Sequence, residues 1–218
     1  MSQSADTDGQ QSVPRVHHPR FAAYYERISQ ESGELRVLEP LRRELVEQAH
    51  GLVLEIGAGN GLNFPLYLPE KVERVEAIEP DTTMSKFARN RLPLARVPLT
   101  LTSATAEKLP FANHVFDCVV ATLVFCSVSD PIRSLQEISR VLKPGGTLLL
   151  LEHVRAQGRF VAFLQDLVMP LTTRIAGNCH WNRDTGEAVT QAGFQVLQER
   201  RLVVQLQPML LLQAASSV

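Results

Sequence analysis

Short, almost continuous apolar runs recur along the chain and alternate with segments whose apolar residues have helical spacing. The first run, at 52–56, lies between glycines, and four more follow it, at 72–79, 98–102, 115–122 and 147–153. Such runs are typical of strands buried on both faces of a parallel sheet. Helical patterns separate them, at 62–68, 81–92 and 131–142. The alternation predicts an α/β fold with a Rossmann-like, doubly wound sheet.

The two ends of the chain depart from this alternation. Two helical patterns, at 20–30 and 35–50, precede the first strand and are interrupted around Ser32 and Gly33. After the fifth strand come an apolar segment at 158–171, a short helix at 183–191, and strands at 194–200 and 208–214. Because only 201–207 joins these two strands, we expect an antiparallel hairpin that closes a seven-stranded, mostly parallel sheet. The pattern predicts one domain over 21–218 and a polar, disordered tail over 1–20.

Composition narrows the function classes. The 218 residues are 44% hydrophobic and carry a formal net charge of −1, so no basic excess supports nucleic-acid binding. Three cysteines without C-x-x-C spacing predict neither a disulfide framework nor a structural zinc site, and they favour a reducing, cytoplasmic compartment. Cys179 and His180 alone are too few for a metal site, so no metal is expected. No apolar stretch approaches the roughly 18 residues of a membrane span.

A glycine-rich turn directly after the first strand carries the candidate chemistry. Gly57, Gly59 and Gly61 permit a tight turn and close approach of the backbone to a ligand. In open α/β sheets, ligands bind beyond the carboxyl ends of the strands, where this turn lies. The dinucleotide fingerprint places its third glycine one residue later, at the position of Leu62. The spacing therefore disfavours a nicotinamide oxidoreductase.

Two acidic residues flank this turn. Glu79 ends the second strand, where a carboxylate can accept hydrogen bonds from both hydroxyls of a ribose. Glu55 lies two residues before Gly57, where it can either support the turn or contact the ligand. A carboxylate beside the turn suits a cationic ligand better than a pyrophosphate. The combination favours a cationic nucleoside, which is a description of S-adenosylmethionine.

At this point the sequence resembles the class I S-adenosylmethionine-dependent methyltransferases. The resemblance lies in four ordered segments: Leu54-Glu-Ile-Gly-Ala-Gly-Asn-Gly61, Glu76-Ala-Ile-Glu-Pro-Asp81, Ala106-Glu-Lys-Leu-Pro-Phe111 and Arg140-Val-Leu-Lys-Pro-Gly-Gly-Thr147. It implies S-adenosylmethionine as cofactor, S-adenosylhomocysteine as product, and a set of cofactor-binding residues: Glu55, Gly57, Ala58, Gly59, Asn60, Gly61, Glu79, Pro80, Ala106, Glu107, Thr122 and Leu123. Related enzymes usually have aspartate at the position of Thr105, whose hydroxyl can still accept one hydrogen bond from adenine.

A narrower likeness concerns the second half of the chain. Three segments are similar to thiol S-methyltransferases of animals and their bacterial relatives: Thr122-Leu-Val-Phe-Cys-Ser-Val-Ser-Asp-Pro131, Leu151-Glu-His-Val154 and Asn178-Cys-His-Trp-Asn-Arg-Asp184. The likeness implies methyl transfer to a small, fairly apolar acceptor, with a thiol as first choice. Methylation of a lipid amine, a phenol or a quinone is the alternative, and so is a protein that binds S-adenosylmethionine without catalysis.

Two histidines are candidate catalytic residues. A thiol with a pKa near 8.5 is largely protonated at neutral pH, so a general base would help. His153 follows the fifth strand, and His180 lies in the 178–184 segment. Each can instead be a structural residue. Cys126, the one cysteine expected near the ligand, can contact the substrate or be a small buried side chain.

The acceptor pocket is expected beneath a lid formed by 155–185. Apolar residues in this region follow helical spacing and predict a buried face: Phe160, Phe163, Leu164, Leu167 and Val168. Tyr24, Tyr25, Cys126 and Trp181 complete the expected substrate pocket. No basic face accompanies the apolar one, so peripheral membrane contact is not expected. The pattern leaves a monomer and a homodimer open.

Overall fold

The apolar runs form a single seven-stranded sheet in the computed structural model, which describes residues 18–30, 34–175 and 179–217. Its strands are β1 (Gly51–Ile56), β2 (Val72–Ile78), β3 (Leu99–Thr102), β4 (Phe116–Thr122), β5 (Leu142–His153), β6 (Phe194–Val204) and β7 (Gln207–Ser216). Their order is β3-β2-β1-β4-β5-β7-β6. The first five strands are parallel, and β7 is antiparallel to both β5 and β6. The predicted fold class is confirmed.

Helices cover both faces of this sheet. They are α1 (Pro19–Gln30), α2 (Glu34–Val46), α3 (Thr82–Arg91), α4 (Pro131–Val141), α5 (Arg159–Ile175) and α6 (Thr185–Gln191). One apolar cluster packs α4, through Leu135 and Ile138, against Leu54 of β1. The other packs α2, through Leu45, against Val53 on the opposite side of the same strand. Adjacent residues of β1 thus enter two separate cores, as a doubly wound sheet requires.

The amino-terminal helix begins earlier than the pattern predicts. Pro19 occupies its start, where a missing backbone N–H costs nothing, so Pro19 and Arg20 belong to α1 and not to the tail predicted over 1–20. Residues 1–17 of that tail lie outside the described residues. The predicted break at Ser32 and Gly33 lies outside them too, as does Asn178, the first residue of the 178–184 segment.

The helix predicted over 62–68 is wrong. Only a single 3₁₀ turn forms there, from Phe64 to Leu66. Proline at 65 is compatible with the first turn of a helix. The second proline, at 69, has no backbone N–H to donate and disfavours helical backbone angles in the residue before it. The connection from β1 to β2 therefore contains no α-helix.

The carboxyl-terminal hairpin is longer than predicted. Its connection is the two-residue turn Gln205–Leu206, with φ values of 48° and 69°, and not the segment 201–207. Two successive positive φ values match the twist of the paired strands and let them pair up to the turn. β5 also begins early, because Phe116 pairs with Leu142 before the register shifts at 143–146.

The predicted burial of α5 is wrong as well. The side chains expected to be buried are exposed, with Phe160 at 73% and Leu167 at 66%. The helix instead buries Ala162, Gln165 and Met169. The Gln165 side chain bonds backbone groups on two other segments, which turns this face inward. Within the described ranges, no helix combines the length and apolarity needed to cross a membrane.

The register of the sheet determines where the candidate site lies. Ile56 pairs with Ile78 of β2 and lies opposite Ala121 of β4, and Thr122 pairs with Leu151 of β5. The carboxyl ends of these four strands therefore meet at one edge. The glycine turn, the acidic residues and the candidate histidine at 153 all follow at that edge.

Candidate active site

The glycine turn is held against the end of β2. The Ala58 N–H donates to the carbonyl of Ile78 at 2.9 Å. Gly57 has φ +62°, and a Cβ added there would lie 2.7 Å from Cγ2 of Val124, so glycine is required by both backbone and space. A Cβ added at Gly59 would meet nothing closer than 3.9 Å. The outer side of the turn is thus open toward a ligand.

The Glu79 carboxylate joins the turn to the second strand. Its Oε2 accepts the Gly59 N–H at 2.8 Å, and its Oε1 accepts the Asp81 N–H at 2.8 Å. Each oxygen keeps a further lone pair for another donor. Burial raises the pKa of Glu79 to about 7, against the lowering effect of these two backbone hydrogen bonds. Additional hydroxyl donors would favour the ionised form.

The amino-terminal helix packs over this end of the turn. Arg91 of α3 makes a two-pronged ion pair with Glu26 of α1, with both N–O distances 2.9 Å, and also donates to the Asn60 carbonyl. The Asn60 side chain donates to Glu26 at 2.7 Å and to Ser29 at 2.9 Å. The side chain of Asn60, predicted to bind cofactor, therefore links the turn to α1.

Next to this link, α3 is capped. Asp81 accepts the N–H groups of Thr83 and Met84 at 2.7 and 2.9 Å, as an N-cap residue does. Its second oxygen accepts the His18 N–H at 2.7 Å. The start of α1 is thus bound beside Glu79 and Pro80.

Glu55 supports the site from below. Its two oxygens accept hydrogen bonds from Asn63 at 3.0 Å and from the Tyr67 hydroxyl at 2.8 Å. Burial raises the pKa of Glu55 to about 7. The backbone amide of the turn is bonded by Glu79 instead. Of the two roles open for Glu55 in the sequence, its contacts favour support.

A buried arginine lies above Glu55. Arg42 of α2 donates to Thr122 at 2.8 Å, to Asn63 at 3.3 Å and to the Tyr25 hydroxyl at 3.0 Å. Asn63 donates in turn to Thr122 at 3.0 Å. A full positive charge therefore reaches the carboxyl end of β4, close to Glu55. This charge partly offsets the rise in the pKa of Glu55 that burial causes.

The turn after β4 is strained and held by a buried carboxyl. Leu123 has φ +59°, which a branched side chain rarely adopts outside functional turns. Glu152 Oε1 accepts the N–H groups of Val124 and Phe125 at 2.8 and 3.0 Å. Its Oε2 is buried and has no hydrogen-bond partner among the described residues. Burial raises the pKa of Glu152 to about 8, which keeps much of it protonated at neutral pH.

Sulfur and imidazole groups gather beside this turn. The ligand atoms of Cys126, His153 and Cys179 all lie within 4.8 Å of one another. The expectation that Cys126 is the one cysteine near the site is wrong, because Cys179 approaches it from the segment after α5. The His180 N–H donates to the Cys126 carbonyl at 2.6 Å, so both candidate histidines lie at this end.

The remaining predicted residues are more widely spread. Trp181 has a buried indole nitrogen without a partner among the described residues, whereas Tyr24 is 61% exposed on α1. Ala106 is buried. The Glu107 carboxylate accepts the Ser129 N–H at 2.8 Å, so its visible role is to hold the start of α4.

Comparison with known proteins identifies the family to which the chain belongs. A family model described as a methyltransferase domain matches residues 54–150. Thiol S-methyltransferase TMT1B of Rattus norvegicus is 34% identical over 175 residues, covering 74% of this chain and 70% of the relative. The chain belongs to the class I S-adenosylmethionine-dependent methyltransferases.

Two further comparisons concern a second sequence relative and a solved structure with the same fold. Phosphatidylethanolamine N-methyltransferase of Cereibacter sphaeroides is 31% identical over 139 residues, covering 62% of this chain and 64% of the relative. A Haloferax volcanii methyltransferase, solved with the activator Trm112, superposes with a TM-score of 0.71 at 18% identity, covering 92% of this chain and 99% of the other. The last comparison concerns the fold alone.

The edge described above fits S-adenosylmethionine, the cofactor of this family. The Glu79 carboxylate has acceptor capacity left for two ribose hydroxyls, beside a turn whose outer side is open. Arg42 carries the charge that an amino-acid carboxylate would need, at the ends of β1 and β4. We therefore expect Glu79 to hold the sugar and Arg42 to attract the methionine carboxylate.

Several residues of the site carried no readable signal in the sequence. Arg42 is one of many charged residues on an amphipathic helix, and Asn63 lies in a segment mistaken for a helix. Asp81 did carry a signal, because Asp followed by Thr82 and Thr83 is a typical helix start. Cys179 was considered as a metal ligand, but its neighbours Cys126 and His153 come near it only in the folded chain.

We predict that Glu79→Ala weakens S-adenosylhomocysteine binding about 10–100-fold, because one charge-assisted contact is lost. Isothermal titration calorimetry measures this affinity directly. Glu73→Ala, at an exposed position of the same strand, is the matched control and should bind normally. Unchanged affinity in the Glu79 variant would remove this carboxylate from the cofactor site.

Stability should also depend on pH through the buried carboxyls. Glu152, with a folded pKa of about 8, holds a proton that the unfolded chain releases near pH 4–5, so its stabilisation is complete below that range and is lost as pH rises through 8. Glu55 and Glu79 act in the same direction up to about pH 7. His180, whose pKa is lowered by partial burial, acts in the opposite direction, because it destabilises the fold as pH falls below the ordinary imidazole value.

Glu152→Gln should therefore flatten the fall in unfolding free energy between pH 5 and 8, because the amide keeps an acceptor oxygen but does not titrate. Urea unfolding at several pH values measures the change, with Glu73→Gln as control. An unaltered pH slope in Glu152→Gln would show that this carboxyl is ionised in the folded protein.

Proposed function

We propose that this methyltransferase transfers the methyl group of S-adenosylmethionine to the sulfur of a small, fairly apolar thiol. The observation that carries the proposal is the 34% identity with a thiol S-methyltransferase over three quarters of the chain. The side chains at the end of β4 and β5 agree with it, since Cys126, His153 and Cys179 offer sulfur and imidazole there.

The bound cofactor supplies a methyl group already activated on a cationic sulfonium. The protein's main task is then to hold donor and acceptor in line, about 3–3.5 Å apart, in a site closed to water. Glu79 and Arg42 fix the two ends of the donor. The strained turn at Leu123, held by Glu152, lies between the cofactor residues and the acceptor residues.

We assign closure of the acceptor end to the described parts of the lid region, 155–175 and 179–185. Gln165 of α5 accepts the Ala156 N–H at 2.8 Å and donates to the Trp181 carbonyl at 3.2 Å. One buried side chain thus joins the helix to the segment that carries Cys179 and His180. The unpartnered indole nitrogen of Trp181 belongs to the same segment.

We assign proton removal from the acceptor to His180. Partial burial and the neighbouring Arg183 lower the pKa of His180 below its ordinary value, so its imidazole is neutral at pH 7 and able to accept a proton. Its backbone bond to Cys126 keeps it at the acceptor end. His153 takes the other candidate position, at the end of β5.

A second acceptor class has its own support. The likeness to a phosphatidylethanolamine N-methyltransferase and the exposed apolar side chains of α5 both suit a lipid amine. That relative matches a smaller part of the chain, and no basic face accompanies the apolar helix. We therefore rank the lipid amine below the thiol.

A panel of acceptors decides between these functions. With labelled S-adenosylmethionine, we expect methylation of small thiols such as 2-mercaptoethanol and dithiothreitol, and at least about tenfold lower kcat/KM for phosphatidylethanolamine vesicles, phenols and quinols. Turnover of an amine, phenol or quinol without turnover of any thiol would overturn the proposal. Binding of S-adenosylhomocysteine with no methylated product would indicate a non-catalytic binding protein.

His180→Ala should lower kcat for thiol methylation about 100-fold at pH 7, since a positioned base contributes about 10²–10⁴. The deficit should shrink as pH approaches the pKa of the free thiol, because thiolate then forms without assistance. A pH–rate profile of the labelled thioether product tests both statements. His50→Ala, at an exposed position before β1, should leave the profile unchanged, and a deficit independent of pH in His180→Ala would contradict a role as base.

A further inference from the structure

A second chemical centre lies at the acceptor end of the site. Cys126, His153 and Cys179 come from three separate parts of the chain, yet their sulfur and nitrogen atoms lie within 4.8 Å of one another. The thiol of Cys126 is buried, and the other two side chains are half-buried. The cluster therefore has one closed side and one side facing outward.

Backbone hydrogen bonds hold the three segments together. The His180 N–H reaches the Cys126 carbonyl at 2.6 Å, which fixes the neighbour of Cys179 against the turn after β4. Arg155 donates its N–H to the Arg183 carbonyl at 3.0 Å, which ties the same segment to the end of β5. The three candidate ligands are thus positioned by main-chain contacts and not by flexible side chains alone.

The donor set suits a soft divalent cation. In tetrahedral zinc sites, Zn–S is about 2.3 Å and Zn–N about 2.0–2.1 Å, so ligand atoms lie roughly 3.5–3.8 Å apart. The three atoms here need to close by no more than about 1 Å. Thiolate and imidazole are preferred by zinc and related metals, whereas magnesium and calcium prefer oxygen.

Charge and surroundings agree with this. Two thiolates and a neutral imidazole around a divalent cation have no net charge, which a partly buried site tolerates. Arg183, bonded to the carbonyls of Phe125 and Val128 at 2.7 Å, places a positive charge nearby that favours the thiolate forms.

We propose that Cys126, His153 and Cys179 bind one zinc ion and leave its fourth coordination position open to the methyl acceptor. Three protein ligands with one open position are the arrangement of catalytic zinc sites. The proposal departs from the expectation of no metal, which rested on Cys179 and His180 having no partner. The zinc site stands on the geometry alone, whereas the role of the acceptor rests on the thiol methylation proposed above.

The open position has a specific use for a thiol acceptor. The acceptor's S–H bond breaks as its sulfur bonds the zinc ion, and the proton passes to His180 or to water. A second sulfur lone pair then forms the bond to the methyl carbon, while the electrons of the broken C–S bond return to the sulfonium sulfur. Zinc thus replaces a strong base, because a coordinated thiol is deprotonated at neutral pH.

Glu152 supports this centre without contacting the metal. Its Oε1 holds the N–H groups of Val124 and Phe125, which lead directly into Cys126. Glu152 also directly precedes His153 in β5. It is a positioning residue for two of the three ligands, so its replacement should weaken zinc affinity less than loss of a ligand does.

The first experiment measures the metal itself, in the full chain purified under reducing conditions. We expect about one zinc per chain by mass spectrometry of the metal. Replacement with Co²⁺ should give the visible bands of a tetrahedral site and a near-ultraviolet thiolate-to-cobalt charge-transfer band. Cys126→Ser, Cys179→Ser and His153→Ala should each weaken metal binding more than about 100-fold.

Cys118→Ala is the matched control, because Cys118 is buried inside β4 and is not part of the cluster. It should keep both the zinc content and the cobalt spectrum. Circular dichroism and S-adenosylhomocysteine binding report whether each variant is folded, and Cys179, the more exposed thiol, is the variant best suited to remain so. The wild-type cobalt spectrum needs no variant at all.

The second experiment separates the metal from the reaction. Addition of 2-mercaptoethanol to the cobalt-loaded enzyme with S-adenosylhomocysteine should strengthen the charge-transfer band as a third sulfur coordinates. The zinc site is overturned if no thiolate–cobalt band forms, if the metal survives all three substitutions, or if Cys126 and Cys179 form a disulfide that excludes it. An unchanged band on addition of thiol overturns the open position for the acceptor.

The same measurements distinguish failure of the proposed function. A cobalt spectrum that depends on all three ligands, in a protein that methylates no thiol, supports the zinc site and contradicts thiol methylation. Thiol methylation that persists unchanged in metal-free enzyme, with no cobalt band, supports the proposed function and overturns the zinc site.

Discussion

One buried carboxylate, that of Glu79, holds the site together. It bonds the Gly59 amide of the glycine turn and the Asp81 amide that begins the cap of α3, both at 2.8 Å. These two contacts join the carboxyl ends of β1 and β2 into one surface. The carboxyl group is buried and accepts these two backbone hydrogen bonds, and burial raises its pKa to about 7. A ligand that offers hydroxyl donors to the same oxygens would lower that pKa again, so the junction of the two strands is also where we expect the ribose of the cofactor.

The amino-terminal helices extend this junction over the turn. Glu26 of α1 bonds both Arg91 and Asn60, and Arg42 of α2 bonds Thr122 at the end of β4. Each of these contacts links residues far apart in sequence, and one partner of each lies on a helix before β1. The helices before β1 thus contribute charge and hydrogen bonds to the site, in addition to covering one face of the sheet.

Sequence patterns could predict the parts of this molecule that depend on local rules. Strands buried on two faces, glycines at positive φ and an acid after the second strand each leave a mark that a single sequence shows, and the seven-stranded sheet followed from them. The exposed face of α5 was not predictable, because its apolar spacing also fits a buried helix and only the contacts of Gln165 decide its orientation. Arg42 and Cys179 were missed for a related reason, since their partners are brought near only by the fold.

The two ends of the site differ in chemistry, and the difference follows from what each must recognise. The expected cofactor end has carboxylates and an arginine, which would match hydroxyls, a sulfonium and an amino-acid carboxylate. The proposed acceptor end has Cys126, His153 and Cys179, which are softer ligands and would carry no net charge with a divalent cation bound among them. A thiol acceptor gains little from hydrogen bonds, because sulfur is a weak donor and a weak acceptor. If the acceptor is the proposed thiol, a soft partner is what would select its sulfur over oxygen and nitrogen, and three soft ligands lie together beyond the ends of β4 and β5.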